Sequence, residues 1–319
     1  MPSAEDLAER AAAGPSGVPV GDFLLDTAVT PDAQLPGRFL ADLSEAWRVF
    51  YAFGGCTMAV ALRAAQAAVA RPDLTPQVAS ALFVAPVHCG PLVVDTEVLR
   101  NGRSAAQVTA KLRSAGSPDG QSDVHLTAVF GAPHESRINF IDAVWPADAL
   151  DLADAVVPPE RDDDSNPFSR INYHAQTDFR MAMNGFNFHD PSTWEPGPAR
   201  ALTWHRLRNE PLLPDGTYDP ISLCAPADIL GPAIFAKLGP MSPENPPFLV
   251  LSLEITVHFV APATSGWIMQ HTRVPFAANG YADAVVELWD EHHTLVALAT
   301  QRGHVRPVTF DRSTPDGTA

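Results

Sequence analysis

Phe83-Val84-Ala85-Pro86 recurs as Phe259-Val260-Ala261-Pro262, an offset of 259 − 83 = 176 residues. Gly90 keeps that offset and meets Gly266, and Asn101-Gly102 returns two residues later as Asn279-Gly280. Each copy runs on into an alternating stretch, Val108 to Leu112 and Ala284 to Leu288. A duplication of this length implies one fold built twice and packed on itself, not a short-period solenoid. It also permits a functional site to survive in one copy and decay in the other.

Working outward, Cys56 to Ala70 is Ala-rich and apolar nearly all round, which predicts a buried helix entered through Gly54-Gly55 and stopped by Pro72 and Pro76. Strands are expected at Phe23–Thr27, Trp47–Tyr51, Val78–Phe83, Leu92–Arg100, Ala105–Ser114 and Asp123–Phe130. Asn101-Gly102 is a hairpin signal. In the second copy, strands are expected at Tyr173–Arg180, Ala201–Leu207, Leu249–Phe259, Trp267–Val274, Ala282–Asp290 and Leu295–Arg302. Pro226 to Leu238 takes the helix slot, with Gly231-Pro232 interrupting or restarting it. The domains read as 1–145 and 170–308, joined by a linker over 146–169 and followed by a polar tail over 309–319. Ala4–Ala13 reads as a short terminal helix.

Twenty-one Lys and Arg against thirty-seven Asp and Glu give a net charge of −16, which argues against nucleic acid and anionic membranes as partners. Its bland reading is solubility. Three cysteines without CxxC or metal spacing argue for a reducing cytoplasm and against a disulfide framework. The N-terminus lacks the basic and apolar regions of a signal peptide, and no membrane span is expected. No metal or cofactor motif is present: GxSxG, HExxH, P-loop and GxGxxG are all missing. Asp162-Asp163-Asp164 lacks the spacing of an EF-hand, and His292-His293 fall in an expected turn.

An antiparallel sheet around one buried helix, made twice, is the α+β double-hotdog arrangement. The chain resembles the TesB-like double-hotdog acyl-CoA thioesterases over residues 20–308. The resemblance is carried by Phe53-Gly54-Gly55, Val98 to Ser104, Ala227-Asp228, Leu251-Ser252-Leu253-Glu254, Phe259 to Pro262 and Ala299-Thr300-Gln301. It implies a catalytic water held by Asp228, Ser252 and Gln301, with Gly54, Gly55 and Cys56 at the substrate. It implies an acyl-CoA substrate, no cofactor, and a homodimer or higher homo-oligomer. Ser252 stands where the best-known members have Thr, and Cys56 where they have Gln.

By position alone, Asp228 reads as an N-cap of the second helix, Gln301 as an outward strand residue, and Ser252 as a commonplace strand hydroxyl. Gly54-Gly55 reads equally as a tight turn or as free N–H groups at a positive helix end. Cys56 at that helix start could be a nucleophile, but no His stands near it in sequence, and Cys is commonly a small buried hydrophobe. Two rival functions remain: a non-catalytic acyl-thioester-binding protein, and a hotdog enoyl-thioester hydratase, for which Asp228 has no evident His partner.

Overall fold

A computed structural model describes residues 19–118, 120–134, 136–158, 171–186, 195–240 and 248–307. The expected terminal helix, the polar tail and linker residues 159–169 lie outside them.

The first copy comprises α1 (Phe23–Asp26), β1 (Thr30–Pro31), β2 (Arg38–Leu43), a 3₁₀ turn (Glu45–Trp47), α2 (Gly54–Val69), β3 (Thr75–Phe83), β4 (Gly90–Asn101), β5 (Ala105–Ser114) and β6 (Val124–Gly131). The second comprises α3 (Asn172–Ala175), β7 (Thr177–Met181), β8 (Arg200–Leu207), a 3₁₀ turn (Pro220–Leu223), α4 (Cys224–Ala227), α5 (Gly231–Leu238), β9 (Phe248–Phe259), β10 (Ile268–Ala278), β11 (Tyr281–Asp290) and β12 (Leu295–Pro307). Three expected strands are corrected. Phe23–Thr27 is helical, capped by Asp22 accepting from the Leu25 N–H. Trp47 ends a 3₁₀ turn capped by Ser44. Tyr173 sits in α3, and its strand starts only at Thr177. In the first two cases polar capping overrode the local β propensity, whereas α3 has no side-chain cap.

All strands join one antiparallel sheet, β1-β2-β4-β5-β6-β3-β9-β12-β11-β10-β8-β7. The halves meet at β3 and β9, where Ser80 pairs with Thr256. Since 80 + 176 = 256, that pair sits on the pseudo-twofold axis implied by the repeat. The two Phe-Val-Ala-Pro motifs are the points where β3 and β9 end. The Val84 and Ala85 N–H groups both bond the Asp123 carbonyl, and those of Val260 and Ala261 both bond that of Val296. Each motif thus turns its chain toward the strand on its own side of the axis.

The sheet curls around the helices. Cys56, Met58, Leu62 and most other side chains of α2 are buried, because α2 is packed by its own sheet on one side and by α4 of the other copy on the other. Burying a Met or Leu side chain contributes roughly 1.5–3 kcal/mol. A polar link crosses the same seam: Arg63 of α2 reaches Asp219 of the second copy at 2.5 Å, while its Nε donates to Thr27 of its own copy at 2.7 Å. The stretch Pro220–Leu238 is long and apolar enough to cross a membrane by composition, yet 72% of it is buried inside the fold. Linker residues before 159 cover the outer face of the second half-sheet. Trp145 packs on Trp204 and Trp289 there and stacks on His293 at 3.9 Å.

Candidate active site

The break between α4 and α5 sets the site. α4 ends at Asp228, which occupies its C-cap, and α5 restarts at Gly231 with Pro232 in its first turn. Asp228 is therefore not the N-cap of its own helix. Its carboxylate crosses the seam instead. Oδ2 accepts the Gly55 N–H of α2 at 2.8 Å, supplying the cap that Phe53 does not. The loop behind it is fixed by Gln270 Nε2 and Thr272 Oγ1, which donate to the Ile229 carbonyl at 2.8 and 3.3 Å.

The other carboxylate oxygen gathers the two remaining residues. Ser252 Oγ and Gln301 Nε2 each donate to Asp228 Oδ1 at 2.6 Å, and Gln301 Nε2 also donates to Ser252 Oγ at 2.8 Å. Neighbouring strands β9 and β12 carry them, with Ser252 opposite Gly303 beside a bulge. Gln301 Oε1 is buried and has no partner among the described residues. Burial raises the Asp228 carboxyl to about 7, against the pull of the Ser252 hydroxyl and the Gly55 N–H. A buried carboxylate that still titrates near neutrality, with an unfilled acceptor beside it, can hold a water and take its proton.

A cavity of about 590 Å³ opens onto these groups and is lined by Gly54, Asp228, Ser252 and Gln301 together with aromatic side chains including Phe53, Phe83 and Tyr173. Tyr173 packs against Phe53 with ring centroids 4.2 Å apart and tilted by 36°, and bonds buried His205 at 2.7 Å. Burial lowers His205 to about 3, so it is neutral.

Of the three residues expected at the substrate, Gly54 lines the cavity and its N–H has no partner among the described residues. The Gly55 N–H is committed to Asp228. Cys56 is corrected: it is fully buried, does not line the cavity, and burial pushes its thiol well above its ordinary value. The glycines also admit the other copy. A Cβ on Gly54 would lie 2.5 Å from Asp228 Oδ2, and one on Gly55 would strike the backbone of Cys224 and Ala225. Among the described residues no three His, Cys, Asp or Glu groups could hold a metal.

The first copy has no second set. β3–β6 and β9–β12 share one register: Ala79 faces Ala128 as Ile255 faces Gln301, and Pro76 faces Phe130 as Ser252 faces Gly303. Ala128 and Pro76 thus stand where the second copy has Gln301 and Ser252. Gln270 and Thr272 escaped the sequence reading. Their signal is that polar residues sit in a strand whose counterpart in β4 buries Leu92 and Val94.

Residues 151–305 match the acyl-CoA thioesterase C-terminal domain and residues 43–131 the acyl-CoA thioesterase N-terminal domain. A conserved protein of unknown function with a hot dog fold from Alicyclobacillus acidocaldarius is 24% identical, with 90% of this chain and 98% of that one covered at a TM-score of 0.71. The acyl-CoA thioesterase II TesB2 from Mycobacterium marinum is 18% identical, with 91% and 99% covered at 0.63. The tesB protein of Mycobacterium avium subs. paratuberculosis is 19% identical, with 90% and 99% covered at 0.61. At these identities what they share with this chain is the fold. No curated protein matches it.

Proposed function

This chain belongs to the TesB-like double-hotdog thioesterase family, and on that premise we propose that it hydrolyses an acyl-CoA to a carboxylic acid and free CoA. The observation that carries the reading is the convergence of Asp228, Ser252 and Gln301 on one cavity, with the carboxyl held near 7. Gln301 Oε1 and the Asp228 carboxylate accept the two hydrogens of a water. As its oxygen attacks the thioester carbon, Asp228 takes one proton. The Gly54 N–H, at the positive end of α2, donates to the developing oxyanion. Collapse of the tetrahedral intermediate breaks the C–S bond, and the proton on Asp228 passes to the departing thiolate. A thioester is reactive enough that placed water, base and oxyanion donor suffice, and no acyl-enzyme forms.

The two rivals have less support. An enoyl-thioester hydratase would pair Asp228 with a His, and His205 bonds Tyr173 while His271 bonds Glu287. A passive acyl-thioester binder has no use for a buried carboxyl near 7. The test is a panel of acyl-CoA thioesters of graded length read by free-thiol release. Steady turnover on part of the panel is expected, and no thiol release from any member would defeat the proposal.

A further inference from the structure

The cavity wall includes six consecutive residues, Phe248 to Leu253. Successive side chains of a strand point to opposite faces, so six in a row can border one cavity only if the strand presents its edge. The pairing agrees. β9 bonds β12 along its length but meets β3 only from Glu254 onward, because β3 peels away at Phe83. Over Phe248–Leu253 the side of β9 that faces β3 therefore has no strand partner among the described residues.

We infer that this edge is a binding track for the amide-bearing pantetheine arm of the substrate, an inference that rests on the thioesterase reading above. Backbone N–H and C=O groups at a sheet edge recruit an extended chain that can pair with them. An acyl chain has nothing to pair, whereas pantetheine is extended and carries two amides. The track starts at Ser252, beside Asp228, and runs about 13 Å to Phe248 at ~3.3 Å per residue. Near its far end, Arg306 pairs opposite Leu249 and is, among the described residues, the only Lys or Arg lining the cavity, suitably placed for the phosphates. The pseudo-symmetric position has lost the track. β3 begins only at Thr75, and Pro76, the counterpart of Ser252, has no N–H to offer.

The test uses one acyl group on four carriers: CoA, pantetheine, N-acetylcysteamine with a single amide, and butanethiol with none. For the three smaller carriers, kcat/KM should fall about fivefold or more with each amide removed, chiefly through KM, as expected for losing a hydrogen bond. Arg306→Ala should narrow the gap between CoA and pantetheine thioesters. With a non-hydrolysable acyl-CoA thioether bound, amide exchange should slow over 248–253. Equal kcat/KM for the pantetheine and butanethiol thioesters, or unchanged exchange over 248–253, overturns the track while leaving the thioesterase reading intact. Failure to hydrolyse all four would overturn both.

Discussion

Asp228 is buried and yet has to ionise to act as a base. An unfolded aspartate titrates near 3.8 and this one near 7. Across that interval the folded state holds a proton that the unfolded state has lost, so this residue's contribution to stability falls as pH rises from about 4 to 7. Asp228→Asn removes the cost. It should melt higher than the parent at pH 8, by on the order of 2–4 kcal/mol of stability, and the gap should close below pH 4 in thermal melts. Catalysis should run the other way, with kcat/KM rising as pH increases through about 7. A flat profile from pH 5 to 9 would mean another group is the base. Cys56 is sealed away from the cavity, so Cys56→Ala should leave hydrolysis intact, and mass spectrometry should find no acyl group on it. Asp228, Ser252 and Gln301 were legible through the family resemblance, with the missing counterpart of Gln301 in the first copy as support. The role of Asp228 as a cap for the partner copy's helix was not, because a bond across 173 positions leaves no local pattern.

At the scale of elements, Gly54-Gly55 left two readings open, and the structure adds a third: the glycines let α2 and the α4 end of the second copy touch. Gly55→Ala sets a methyl against backbone, which cannot yield, and should cost several kcal/mol of stability. Gly54→Ala meets the carboxylate itself and should lose activity more than stability. Denaturant melts beside turnover separate the two outcomes. Equal and small effects on both would mean the helices are not in register as described. Turn chemistry shows how far letters alone can carry. Asn279 and Gly280 both take positive φ, 56° and 82°, as a two-residue hairpin needs. The same pair in the first copy makes a longer loop, and Asn101 Nδ2 instead bonds the Val69 carbonyl at the end of α2. The difference lies in what packs beneath the hairpin, which a dipeptide does not encode.

In the whole molecule, the repeat read from the sequence is the pseudo-twofold of one continuous sheet. The fold was legible because a long duplication restricts the architecture more than any single strand does. The misread strands cluster at α1, the Glu45–Trp47 turn and α3, which make contacts that the repeat does not determine. The halves share a ladder, a helix contact and the Arg63–Asp219 pair, so neither should stand alone. Fragments 1–162 and 163–319 should be insoluble and inactive apart, and should recover some hydrolysis when refolded together. An active, soluble 163–319 would contradict a site made from both copies. The central claim is narrower: one water, held by Asp228 and Gln301 at the seam, does the chemistry. It is tested most directly by free-thiol release from the best acyl-CoA substrate, comparing the parent with Asp228→Asn and Gln301→Ala at pH 8 after melts establish that each variant is folded. The account predicts that kcat falls about 10²–10⁴-fold in each, as for loss of general-base catalysis, while KM moves little. Folded variants that keep full turnover would contradict it.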